Sequence, residues 1–257
     1  MFEEKWLIVN DCKVRVRRGG SGPTLLYLHG ANGAAKVPAF LESFTAHFDV
    51  WVPEHPGFGE SDAPDWLENI HDLAYFYSDF LHQLGLSKVH VIGSSIGGWL
   101  AMEMAIREPE RFSSMVLIGC AGILLEGTPP GDTFQWDPAT AVRNTFVDDK
   151  MVAFALSHPL EPATAQKNRR TVERLAFEPR LHDPMLHKWL HRIQCPVQLA
   201  WGDQDKIMPL AYGHAFAKLI PQSQLVVYPN CGHLPQMEQA TEFAASSLKF
   251  MREVQPS

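Results

Sequence analysis

A chain of 257 residues, 46% apolar and 20% charged, carries enough hydrophobic material for one sizeable core, which excludes an intrinsically disordered protein and gives no ground for two linked domains. A net charge of -7 offers no electrostatic hold on nucleic acid or on an anionic membrane. Residues 1–6 lack a basic-then-apolar leader pattern and no run approaches the roughly 18 apolar residues of a bilayer span, so a cytoplasmic protein without membrane attachment is expected.

The first predicted elements are two short strands, Trp6-Leu7-Ile8-Val9 and Lys13-Val14-Arg15-Val16-Arg17. They are joined by Asn10-Asp11, a pair suited to a tight antiparallel turn at a sheet edge. Leu25-Leu26-Tyr27-Leu28 follows and runs into His29-Gly30-Ala31-Asn32-Gly33, and Val50-Trp51-Val52 leads to Glu54-His55-Pro56-Gly57-Phe58-Gly59-Glu60-Ser61. Val89-His90-Val91-Ile92 runs into Gly93-Ser94-Ser95-Ile96-Gly97, which opens the helical stretch Gly98-Trp99-Leu100-Ala101-Met102. Met115-Val116-Leu117-Ile118 precedes a change of pattern. Then come Val197-Gln198-Leu199-Ala200, ahead of Trp201-Gly202-Asp203-Gln204-Asp205, and Leu225-Val226-Val227-Tyr228, ahead of Cys231-Gly232-His233. Short β-rich runs alternating with helical patterns imply an α/β fold: a mostly parallel central sheet with helices on both faces.

Residues 122–192 contain no good strand but several helix starts, where Asp137-Pro138, Glu161-Pro162 and Asp183-Pro184 each place an acid before a proline. This segment reads as a helical cap inserted after the sixth strand, with residues 1–121 and 193–257 as the core. Inserted there, it would lie over the carboxyl ends of the strands, where open α/β sheets bind ligands. Phe134, Trp136, Phe146, Met151, Phe154 and Trp189 are candidates for a pocket roof or, more plainly, for packing the cap onto the body.

Ser95 is the residue that needs explaining. A serine hydroxyl is a poor nucleophile at its own pKa, so its chemistry wants a sharp turn, an imidazole base and backbone N–H donors nearby. A G-x-S-x-G pentapeptide between strand and helix supplies such a turn but is a weak signal alone. The chain order Ser, Asp, His, with His29-Gly30 upstream, separates this pattern from the chymotrypsin and subtilisin orders.

On these residues the chain resembles the α/β-hydrolase family over nearly its whole length apart from roughly residues 122–192. The stretch 54–61 is similar to the family's D-x-P-G-x-G-x-S loop after the fourth strand, with Glu54 where Asp is usual, which puts a local turn hydrogen bond in doubt. The resemblance implies Ser95 as nucleophile, His233 as general base and Asp205 as the acid that orients the imidazole, being three residues after Gly202 in W-G-x-x-D. Asp203, two residues earlier, stays open as a rival. Gly119 and Cys120 offer no carboxylate after the sixth strand. By the same resemblance Ile96 and Ala31 supply the N–H groups of an oxyanion hole, while His29 braces its loop without touching substrate. Asn32, Trp136, Trp189 and Leu234 are substrate-binding candidates.

Other constellations are bland. His187 and His191 stand four apart on a predicted helix but lack the third ligand of an H-E-x-x-H arrangement, and Cys12, Cys120, Cys195 and Cys231 form no C-x-x-C pair. No metal and no cofactor are expected. Arg169, Arg170, Arg174 and Arg180 cluster in the cap, either as a solvated face or as an attraction for an acidic substrate tail.

A serine at the elbow argues against haloalkane dehalogenase or epoxide hydrolase chemistry, in which relatives use a carboxylate there. The leading expectation is a serine hydrolase acting on a small-molecule carboxylic ester, with activity rising across roughly pH 6 to 8 as an imidazole base loses its proton. The alternative is the carbon–carbon bond hydrolysis of the meta-cleavage-product group, which acts on dienoic acids. Those enzymes usually carry Asn before the nucleophile and Trp after the catalytic His, where this chain has Ser94 and Leu234. A non-catalytic receptor or interaction protein on the same scaffold is a third reading. The expected partner is a small molecule, and homo-oligomerisation is left open.

Overall fold

The computed structural model describes residues 2–254. Strands β1 (Glu3–Val9) and β2 (Cys12–Gly20) form an antiparallel hairpin whose two turn residues, Asn10 and Asp11, both take positive φ, the conformation a two-residue hairpin of this twist requires. Then follow β3 (Thr24–Leu28), β4 (Asp49–Pro53), β5 (Val89–Ser94), β6 (Phe112–Ile118), β7 (Val197–Gly202) and β8 (Ser223–Tyr228). They make one eight-stranded sheet in the order β1-β2-β4-β3-β5-β6-β7-β8. β1 and β2 pair antiparallel and β2 joins β4 antiparallel, while every pairing from β4 across to β8 is parallel.

The period of two along each strand sorts the core into two apolar layers. Val89 and Val91 of β5, Met115 and Leu117 of β6, and Val197, Leu199 and Trp201 of β7 face one layer, shared with α1 (Ile70–Gln83), α2 (Ile96–Arg107) and α6 (Leu210–Leu219). Ile92, Val116, Ile118 and Ala200 face the other, against Phe243, Ala244 and Met251 of α7 (Ala240–Glu253) and Phe40 and Phe44 ahead of β4. Burial on both faces explains why these strands read as continuous apolar runs.

Between β6 and β7 the chain folds into α3 (Pro138–Thr145), α4 (Asp149–Ser157) and α5 (Pro162–Ala176). Asp137 and Glu161 cap α3 and α5 through their carboxylates, with proline at the first helical position, as the sequence predicts. Asp183-Pro184 behaves differently. Asp183 accepts the Met185 N–H, but only two single 3-10 turns follow, at Leu186–Lys188 and Leu190–Arg192. This stretch runs along α2 into β7, and 3-10 turns cover more distance per residue than an α-helix. His187 and His191 therefore do not share a helix face. The insertion leaves and returns side by side: Gly122 donates to Leu181 C=O at 3.0 Å and accepts from Asp183 N–H at 3.0 Å. α3 and α4 bury no residue, whereas α5 buries Asn168, Thr171, Val172, Leu175 and Ala176.

Candidate active site

Ser95 sits at the junction of β5 and α2 with φ 56° and ψ -117°. An L-residue adopts such angles at a cost on the order of 1–3 kcal/mol, so surrounding bonds must hold it. Its N–H meets Ile118 C=O at 2.8 Å, and its own C=O accepts from Gly98 at 3.0 Å, Trp99 at 3.2 Å and Ala121 at 3.4 Å. The turn presses directly on β3, since a Cβ on Gly97 would run into the carbonyls of Leu28 and His29. As first residue of α2, Ile96 presents its N–H outside the helical ladder at the positive end of the helix dipole.

The loop after β3 lies against this elbow: a Cβ built on Gly30 would be 3.3 Å from Ser95 Cβ. Gly30 C=O accepts from Gly33 N–H at 3.1 Å and from His29 Nδ1 at 2.8 Å. Because the peptide is trans, anchoring that carbonyl directs the Ala31 N–H the opposite way. The His29 ring is fixed in turn. Its Nε2 accepts the His55 N–H at 3.0 Å, the two rings stack at 3.6 Å, and His55 Nε2 donates to His29 C=O at 3.1 Å. Tyr77 then donates its hydroxyl to His55 Nδ1, and every ring nitrogen has one assigned role. Both imidazoles are fully buried, and burial pushes His29 down to about 4 and His55 well below its ordinary value. Both stay neutral.

Glu54 keeps a turn hydrogen bond despite its extra methylene, accepting the Glu60 N–H at 2.8 Å. It also forms a buried ion pair with Arg15 at 3.0 Å.

Asp205 follows β7 in a turn that gives its Oδ1 two main-chain donors, Ile207 and Met208, each at 2.8 Å. Its Oδ2 faces His233 Nδ1 at 2.7 Å, with Asp205 5% and His233 4% exposed. A proton on Nδ1 toward the carboxylate leaves Nε2 with a free lone pair. Asp203 is exposed and accepts the Cys231 N–H at 3.2 Å, so it is Asp205 that meets the imidazole. The turn after β6 touches both partners: Ile118 and Ala121 bond Ser95, and between them a Cβ on Gly119 would stand 2.8 Å from His233 Nδ1.

The His233 loop is stitched to the insertion. His233 N–H donates to Thr145 C=O at 2.8 Å, at the end of α3. One carboxylate does the rest, for Glu238 accepts from Gly232 N–H at 2.7 Å through Oε1 and from Val147 at 2.7 Å and Asp148 at 2.9 Å through Oε2. From α5 the insertion also holds two loops of the core, 54–61 and 29–33. Lys167 Nζ donates to Gly59 and Ser61 carbonyls, Thr171 Oγ1 donates to Gly57 C=O, and Asn168 donates to Asn32 C=O.

The remaining predicted positions are scattered. Asn32 exposes its side chain while its carbonyl is held; Leu234 is half-buried beside His233; Trp136 packs partly buried over Gly131. Trp189 is 46% exposed beside His191, and Phe154 is 54% exposed and stacked on His158. Ser94 is buried, its Oγ accepting from Gln236 Nε2 at 3.2 Å. The arginine cluster disperses: Arg169 pairs with Glu173, Arg180 with Asp132, and Arg174 donates to the carbonyls of Pro64 and Leu67. Arg170 lines, with Lys167 and Arg174, a cavity of about 310 Å³ between α5 and the 57–67 loop. His71, Glu103 and Asp183 converge closely enough to share a cation, yet Arg107 already donates to both His71 and Glu103 and fills that role.

Sequence reasoning missed Asn168, Glu238, Thr145 and the His55–Tyr77 brace. Asn168 carried only a faint signal, a polar residue on the same helix face as Thr171, Val172 and Leu175.

No helix of the described residues is long and apolar enough to cross a membrane. A family model described as the alpha/beta hydrolase fold matches residues 23–186 and 184–240. The 2-hydroxy-6-oxononadienedioate/2-hydroxy-6-oxononatrienedioate hydrolase 2 of Pseudomonas putida is 31% identical over 260 residues, covering 91% of this chain and 89% of that protein. Among solved structures, a serine hydrolase of the polyaromatic hydrocarbon-degrading bacterium Cycloclasticus zankles superposes with TM-score 0.83 at 18% identity over 100% of both chains. An esterase from Rhodococcus sp. ECU1013 does so with TM-score 0.80 at 20% identity over 99% of both chains. The chain thus belongs to the α/β-hydrolase fold family and is a hydrolase of that type.

Proposed function

We propose that the protein is a serine hydrolase that cleaves a small-molecule carboxylic ester through an acyl-enzyme on Ser95. The observation that carries this reading is that one short turn after β6 touches both a strained, half-exposed Ser95 and the buried Asp205–His233 couple. In the proposed cycle Ser95 Oγ attacks the carbonyl carbon and His233 Nε2 takes the hydroxyl proton. The tetrahedral oxyanion is met by the N–H groups of Ile96 and Ala31. The C–O bond to the alcohol then breaks, His233 returns the proton to the leaving oxygen, and water, deprotonated by the same imidazole, releases the acid and restores the serine. Residues 122–192 serve as a cap over the carboxyl ends of the strands, and the four free, buried cysteines suit a reducing cytoplasm.

One observation favours a second reading. The Pseudomonas putida relative is named a hydrolase of a dienedioate, a compound of the dienoic class on which the carbon–carbon bond alternative would act. Against it, Ser94 is engaged by Gln236 and Leu234 is apolar, so neither supplies the groups that the meta-cleavage enzymes usually place at these positions. Short and medium acyl nitrophenyl esters run beside a synthetic dienoate decide between the two: faster turnover of the dienoate reverses the ranking. A fluorophosphonate probe tests the shared part, with label expected on the wild type and absent from Ser95→Ala.

A further inference from the structure

We propose that Asn168, carried by the helical insertion, is the positioning residue that sets the oxyanion loop, so that α5 completes the catalytic geometry as well as covering it. The proposal rests on the reading of Ser95 as an acyl-transfer nucleophile.

Asn168 is 3% exposed in the interior of α5, a place where asparagine is a poor helix former and where a buried amide costs free energy unless its polar ends are used. Both ends are used, each on a different loop of the core. Nδ2 donates to Asn32 C=O at 2.9 Å, and Oδ1 accepts the Gly59 N–H at 2.9 Å. The orientation of the amide is fixed by chemistry, because only the nitrogen can serve a carbonyl and only the oxygen can serve an N–H. The fit is close: at Gly33, whose φ is +79°, a Cβ would come within 2.8 Å of Nδ2.

The target of this contact is the corner that presents the Ala31 N–H. Gly33 N–H to Gly30 C=O closes a turn with Ala31 and Asn32 at its apex. The incoming peptide of that turn is held from the core by His29, through the Gly30 carbonyl. The outgoing peptide is held by Asn168 through the Asn32 carbonyl. Ala31 and Asn32 are themselves exposed, so packing does little to hold the apex, and hydrogen bonds at its two ends define where the Ala31 N–H points. An oxyanion donor displaced by about 1 Å loses much of its effect, since such donors act by being placed in advance where charge develops.

The test uses Asn168→Asp, which is nearly isosteric, keeps an acceptor for Gly59 and replaces the donor to Asn32 by a carboxylate oxygen. The expected result is a kcat on the best nitrophenyl ester lower by roughly 10- to 100-fold with KM within about threefold. Affinity for a trifluoromethyl ketone, whose hemiketal oxyanion needs the same N–H groups, should fall by a matching factor. Asn168→Ser, smaller and uncharged, must move both quantities in the same direction and covers the case in which the aspartate does not fold. Thr171→Val removes a different tie of α5 to the core, at Gly57, and should lower Tm while leaving kcat and ketone affinity within about twofold. A wild-type enzyme that labels with fluorophosphonate while both Asn168 variants keep its kcat and ketone affinity would overturn the positioning role alone. A wild type that neither labels nor hydrolyses any ester removes the nucleophile reading, and this inference with it.

Discussion

The two sides of the candidate site are built differently. Ser95 and Asp205 are held by the core: Ser95 by Ile118, Ala121 and the first turn of α2, Asp205 by the main chain of its own turn. The 29–33 loop and the His233 loop also take main-chain hydrogen bonds that reach the insertion, through Asn168 on one side and through Thr145 and Glu238 on the other. The difference teaches where each demand is met. A strained backbone needs the most tightly packed part of the molecule to over-determine it. The loops beyond the strand ends draw their main-chain hydrogen bonds from the insertion as well as from the core.

The largest effect expected on the core side is that of Ser95→Ala, which should lower ester kcat by at least about 10⁴-fold with an unchanged unfolding transition. Residual turnover close to wild type would take the nucleophile away from the elbow. Asp205→Asn comes next, at about 10³-fold in kcat, because the amide leaves the imidazole in the wrong tautomer. Asp203→Asn, two residues away, should stay within about threefold, and equal losses at the two positions would erase the distinction between the carboxylate facing His233 and the one capping Cys231.

Acid probes the core-side brace of the 29–33 loop. His29, pushed by burial to about 4, stays neutral in the folded protein while the unfolded chain takes up its proton below about pH 6.5. Its contribution is therefore fully present above pH 6.5 and is lost progressively as the pH falls to about 4, on the order of 3 kcal/mol at the acid end. His55 acts in the same direction. Urea midpoints measured from pH 7.5 to 4 should fall across that window, and a flat series would show that the two rings are not held neutral.

Smaller effects are expected on the insertion side. Glu238→Ala releases Gly232, Val147 and Asp148 together and should cost about tenfold in kcat and roughly 1–3 kcal/mol of stability. If stability falls and the kcat of the folded variant does not, the His233 loop is held in place without Glu238, by Asp205, Asp203 and Thr145.

Most of the fold was legible because its signals are local. The period of two in the strands, the Asn10-Asp11 hairpin and the acid-proline starts of α3 and α5 each state their own conformation within a few residues. The same local grammar misled at Asp183-Pro184, where the route along α2 into β7 replaced an expected helix by 3-10 turns and separated His187 from His191. The arginines of residues 169–180 looked like one cluster in sequence and turned out to serve separate partners. Asn168 and Glu238 were silent because their partners lie far along the chain, and the groups they serve are main-chain atoms that no side-chain pattern marks.

By itself the sequence determined the eight strands, the strained turn that exposes Ser95, and the order in which serine, acid and histidine arrive, since each depends on backbone conformation within a short window. Only the tertiary structure decided which aspartate faces His233, how the paired imidazoles of His29 and His55 share their protons, and which helix of the insertion grips which loop. Those outcomes depend on distances between segments up to 136 residues apart, and hydrogen bonds at 2.7–3.0 Å are settled by packing.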